Sequence, residues 1–133
     1  MATLSDPFRD AVLRRDHAAM VDALAPGVVF NSPIAFKPFE GRDAVGQVLA
    51  AVMGTFEDFR YSDELAGETA HALVFEARVG DKQVLGIDLL RFDADGKIDD
   101  FTVMVRPLSA AIALAEAMGP KVGHLKGAPQ ARA

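Results

Sequence analysis

The sequence predicts an α+β fold, a curved antiparallel sheet wrapped around helices and enclosing an apolar pocket. Three observations lead there. Helical spacing dominates to about residue 53, and a period of two takes over from about residue 59. Turn signals at Gly67, Gly80-Asp81 and Asp93-Ala94-Asp95-Gly96 divide the second half into long strands. Helices followed by a meander of strands argue against a doubly wound parallel sheet, in which strands and helices alternate.

Asp6 and Pro7 read as a capping carboxylate followed by a proline at the first helical position, with Phe8, Ala11 and Val12 on one face. Asp16 reads as a second cap or a kink. The helix after it buries Met20, Ala23 and Leu24 and ends at Pro26. Val28 to Ser32 is a short strand stopped by Pro33, and residues 33–41 form a loop carrying Phe36 and Phe39. A helix spans Arg42 to Met53, with Val45, Val48, Leu49, Val52 and Met53 at helical spacing and Gly54 ending it. Strands follow at Phe59–Leu65, His71–Val79, Val84–Phe92 and Ile98–Arg106. Ser109 to Met118 reads as an alanine-rich helix stopped by Gly119-Pro120. The predicted domain is therefore 1–118, with a loose tail at 119–133 that includes Lys121, Lys126 and Arg132.

The chain has 133 residues, half of them hydrophobic, enough for one domain with its own core. Fourteen basic against 19 acidic residues give a charge of −5, which disfavours nucleic acid as a partner. No stretch is long and apolar enough to predict a membrane span or a signal peptide. The absence of cysteine excludes disulfides and thiolate metal sites, and fits a cytoplasmic protein. His17, His71 and His124 lack metal-ligand spacing, so no metal and no cofactor are predicted.

Hairpin arithmetic locates the pocket. With Gly80-Asp81 as a two-residue loop, Val79 lies opposite Lys82, Ala77 opposite Val84, Phe75 opposite Gly86 and Leu73 opposite Asp88. With Asp93 to Gly96 as a four-residue loop, Phe92 pairs with Lys97 and Asp88 with Phe101. One face then carries Leu73, Phe75, Ala77, Val84, Gly86, Asp88, Leu90, Phe92, Phe101, Val103 and Val105. Asp88 is its one ionisable residue. A carboxylate among hydrophobes must find a partner, stay protonated or line a cavity. Gly86 leaves space beside it, which favours the cavity. The opposite face is mixed, and Ile87, Leu89 and Met104 could feed a dimer interface.

Other polar candidates carry less. Ser32 shares the inward side with Val28 and Phe30. It reads as a turn hydroxyl or a ligand contact, since a nucleophilic serine needs a base and none is evident. His71 begins a strand on the side of Leu73, either on the surface or at the pocket rim near Leu90. Gly41-Arg42-Asp43 reads as a helix-initiating turn, and Arg106 as a surface or interface residue.

The segments Val-Val-Phe-Asn-Ser-Pro at 28–33, Phe-Glu-Gly-Arg-Asp-Ala-Val at 39–45 and Gly-Ile-Asp-Leu-Leu-Arg-Phe-Asp-Ala-Asp-Gly-Lys-Ile at 86–98 resemble the cone-shaped nuclear transport factor 2-like superfamily. The ending Val-Met-Val-Arg-Pro-Leu at 103–108 is similar to that of bacterial SnoaL-like proteins. The superfamily contains ketosteroid isomerases, polyketide cyclases and limonene epoxide hydrolase, and the resemblance implies a homodimer. Asp88 is similar to the protonated aspartate of ketosteroid isomerase. Ser32 stands where that family's base would be, and Phe8 where its oxyanion tyrosine would be. Gly86 and Val103 stand where the epoxide hydrolase has its arginine and second aspartate, so water activation of that kind is not implied. The implied pocket gathers Phe8, Phe30, Ser32, Val52, Leu73, Phe75, Gly86, Leu90, Phe101, Val103 and Val105 around Asp88.

Three functions are compatible with these residues. One is a cofactor-independent isomerase or cyclase of an apolar carbonyl compound, with Asp88 as general acid or oxyanion donor. A second is a non-catalytic binder of a small apolar molecule. A third is a dimeric structural or interaction domain whose cavity is filled by its own side chains, the helix Ser109 to Met118 plugging the bowl or joining two subunits.

Overall fold

The computed structural model describes residues 2–125. Their elements run α1 (Asp6–Leu13), α2 (His17–Asp22), β1 (Leu24–Asn31), β2 (Phe39–Glu40), α3 (Arg42–Met53), β3 (Glu57–Ala66), β4 (His71–Val79), β5 (Lys82–Phe92), β6 (Ile98–Arg106) and α4 (Leu108–Val122). One six-stranded sheet has the order β2-β1-β6-β5-β4-β3. The helices pack on its concave face, α3 against β1 and α4 across β4, β5 and β6. The architecture is the predicted α+β cone with one correction. β1 pairs with β6 in parallel, so the sheet is mixed and not antiparallel throughout.

The β4–β5 hairpin has the predicted register, Val79 with Lys82 through Leu73 with Asp88. Burial alternates without a break along β4, so a one-residue slip would turn its apolar set outward. The next hairpin is shifted. Asp88 pairs with Val103 and Leu90 with Phe101, while Phe92 pairs with Ile98 across an irregularity. The cause is the turn. The Asp93 carboxylate accepts from the amides of Asp95 and Lys97, drawing Lys97 into the loop, and a bulge follows. The displacement at Asp88 is two residues, an even number, so Phe101, Val103 and Val105 stay on its face.

The helix ends show where local chemistry decided. Asp16 caps α2 by accepting from the Ala19 amide. Asp6 does not cap α1. It is the first helical residue, and its carboxylate accepts from the amide and hydroxyl of Thr3, while Ser5 occupies the cap. α2 stops at Asp22, short of Pro26, and β1 begins at Leu24. Phe39 and Glu40, expected in a loop, form the edge strand β2. α3 has its predicted bounds. α4 runs through Gly119 and Pro120 to Val122, because Met118 and Val122 are both buried in the core. An internal proline costs roughly 3 kcal/mol in an isolated helix; here tertiary burial outweighs it. Of the predicted tail, 119–122 is thus helical, and 126–133 lies outside the described residues.

Candidate ligand pocket

The bowl is not filled. A cavity of about 240 Å³ lies between the sheet and the helices. Two aromatic groups border it. Phe101 holds Phe8 edge-on at 5.1 Å and Phe30 at 5.0 Å. Phe75 stacks on Phe59 at 5.1 Å and meets Phe56 at 5.5 Å. Such pairs each add about 0.5–1.5 kcal/mol beyond burial, so these walls are preformed. Val48, Leu49 and Val52 of α3 and Leu114 and Met118 of α4 complete the apolar lining. α4 therefore walls the cavity and does not plug it.

Asp88 lines this cavity from mid-β5 and is 7% exposed. Burial raises its carboxyl from 3.8 to about 7, an effect the neighbouring Tyr61 hydroxyl partly offsets. Tyr61 enters from β3, where its cross-strand partner is Phe75. Its own ionisation is pushed well above the usual phenol range by burial and then by the Asp88 charge. The Tyr61 hydroxyl is the one buried side-chain polar atom among the described residues with no hydrogen bond of normal geometry. An unsatisfied buried hydroxyl is costly and rare. Beside Asp88 and against an apolar cavity, it is placed to donate to a ligand oxygen.

Of the residues singled out from sequence, Phe8, Phe30, Ser32, Val52, Phe75, Asp88, Phe101 and Val103 line the cavity together. Leu73 and Leu90 do not. Both are fully buried in the core. Val105 packs half-buried against that core. Gly86 gives no free space, because the Phe75 ring lies directly over it and a Cβ there would overlap three ring carbons. His71 is neither on the surface nor at the rim. It is 7% exposed, its Nδ1 is 3.0 Å from Ser5 Oγ, and Phe92 meets its ring edge-on at 5.0 Å. The Ser32 hydroxyl accepts from the amides of Ile34 (3.1 Å) and Ala35 (2.9 Å), so it shapes the loop at the pocket edge.

Sequence reasoning overlooked Tyr61, since the resemblance directed attention to Phe8. It is the chain's one tyrosine, and its parity with Phe59 pointed inward. The rim residues Arg15 and Asp58 were also overlooked, and among the described residues they are the two non-glycine positions with positive φ, 55° and 53°. Among the described residues no group of His, Asp and Glu is arranged to hold a metal. No helix among them is long and apolar enough to cross a membrane.

Comparison with known proteins agrees with this architecture. The crystal structure of a steroid delta-isomerase from Pseudomonas aeruginosa is 42% identical, with a TM-score of 0.85 over 90% of this chain and 89% of that one. An uncharacterized protein conserved in bacteria, with a cystatin-like fold, from Silicibacter pomeroyi is 32% identical, with a TM-score of 0.87 over 93% and 88%. A nuclear transport factor 2-like protein of unknown function from Cytophaga hutchinsonii, 17% identical with a TM-score of 0.64 over 82% and 95%, shares the fold. No curated protein matches. The family model of the SnoaL-like domain matches residues 6–101, and the chain belongs to that family.

Proposed function

We propose that this protein is a cofactor-independent isomerase or cyclase that moves a proton on a small apolar carbonyl compound. The observation that carries this reading is Asp88 and the unsatisfied Tyr61 hydroxyl at one apolar cavity. The 42% identity to a steroid delta-isomerase supports it. A carboxyl that titrates at about 7 is present in both forms near neutral pH, where a proton shuttle works best. Ionised Asp88 takes a proton from the carbon beside the carbonyl. Tyr61 donates a hydrogen bond to the resulting enolate oxygen. Protonated Asp88 then returns the proton, either to another carbon, giving an isomer, or to the alkoxide of a newly closed ring. One carboxyl thus replaces the separate base that Ser32 cannot supply. The outer sheet face, where Met104 is 49% exposed, is proposed to join two copies in a homodimer.

The test is turnover of β,γ-unsaturated cyclic ketones, steroidal and monocyclic, followed by the absorbance of the conjugated enone. Turnover that Asp88→Asn abolishes supports the proposal. Binding that Asp88→Asn weakens, with no turnover of any ketone, supports the non-catalytic reading. That alternative is favoured by Ser32, whose hydroxyl is already engaged by two amides at the position of the family's base.

A further inference from the structure

The buried end of the cavity carries Asp88 and Tyr61, and the solvent end carries Arg15 and Asp58. The two rim charges differ in what holds them. The Asp58 carboxylate is occupied by Arg78, whose Nε is 3.0 Å away. Arg15 has no acidic partner among the described residues. One of its amino nitrogens donates to the Met53 carbonyl at 3.0 Å, at the C-terminal end of α3. A guanidinium has five N–H donors, so most of them face solvent at the pocket mouth. The backbone adds an independent observation. α1 ends with Arg15 N–H bonded to the Val12 carbonyl and Asp16 N–H bonded to the Ala11 carbonyl. That pattern places Arg15 at the left-handed position, where glycine is the favoured residue. An arginine in a glycine's place carries strain that the helix end does not need, and its side chain lines the cavity.

We propose that Arg15 is a specificity-determining residue that selects ligands with an apolar body and an anionic group at the solvent end. The body lies in the cavity, and a carboxylate, sulfonate or phosphate ester remains at the mouth, hydrogen-bonded to the guanidinium. This rests on the reading that the cavity takes a small apolar ligand.

The test uses two fluorescent probes with the same aromatic body, anionic anilinonaphthalene sulfonate and neutral phenylnaphthylamine. Arg15→Gln is expected to weaken the sulfonate about threefold to fivefold, in the range of a solvent-accessible ion pair, and to leave the neutral probe unchanged. Arg14→Gln removes the same charge from the neighbouring residue, which does not line the cavity, and is expected to change neither. Arg15→Gly relieves the left-handed strain, so it is expected to raise the melting temperature while losing the preference for the sulfonate. Equal weakening by Arg14→Gln and Arg15→Gln, equal weakening of both probes, or no change overturns the proposal. If neither probe enters the wild-type protein, the ligand-pocket reading falls and this proposal with it. If only the neutral probe binds, the pocket stands and the role of Arg15 does not.

Discussion

Replacing Asp88 with asparagine keeps the side-chain shape and removes a carboxyl that the fold holds at about 7 against 3.8 in an unfolded chain. Between those values the folded protein retains a proton that the unfolded chain has released. Stability therefore falls as pH rises through this window, and the full cost is present above about 7. At roughly 1.4 kcal/mol per pH unit the cost reaches about 4 kcal/mol at most. Asparagine carries no such cost. Urea unfolding of both proteins at pH 4 and pH 8 isolates the effect, since every other carboxylate cancels in the difference. The variant is expected to gain about 2–4 kcal/mol on the wild type between the two pH values. A difference that does not change with pH would refute the buried, solvent-deprived Asp88.

The same residue shapes activity. With a suitable ketone, turnover is expected to rise with pH and level off above about 7 as Asp88 ionises. Tyr61→Phe, which removes only the hydroxyl, is expected to lower kcat about 100-fold to 1,000-fold, as for the loss of one oxyanion donor, while raising stability by about 1–3 kcal/mol as an unsatisfied buried hydroxyl is removed. Gly86→Ala forces the Phe75 ring toward the cavity; melting should show a loss of about 1–3 kcal/mol, and probe titration should show weaker binding. Ser32→Ala removes an acceptor for two loop amides, so a loss of about 1 kcal/mol is expected without the collapse in turnover that loss of a catalytic base would bring. Sedimentation is expected to show a dimer that Met104→Glu dissociates, and an unchanged mass would remove the outer sheet face as the interface.

Much of this was legible because the strands alternate strictly. The register that sets Leu73 against Asp88 followed from a two-residue turn and a period of two, both local properties. The bounds of α3 followed from its apolar spacing and Gly54. What failed depended on partners distant in the chain. The parallel pairing of β1 with β6 joins segments about seventy residues apart, as in Phe30 with Phe101. Pro120 reads as a helix stop until the core is present to bury Val122. Gly86 suggests empty space until the ring of its cross-strand partner Phe75 is placed over it. Asp88 stood out as one charge on an apolar face. Tyr61 did not, because a tyrosine on an edge strand is ordinary until its hydroxyl is found buried without a partner. Arg15 was hidden for a different reason: left-handed backbone at a helix end is a signal carried by glycine, and here the residue is arginine.

The claim that Asp88 contacts ligand as a carboxyl poised near neutrality is tested most directly by following its side-chain carbon by carbon-13 NMR. The spectra would be taken against pH, with Asp88→Asn identifying the signal, and repeated with acetylnaphthalene as a bound ketone. The account predicts a midpoint near 7 in the free protein and a change in both signal and midpoint when the ketone binds. A midpoint near 4 with no response to the ketone would contradict it.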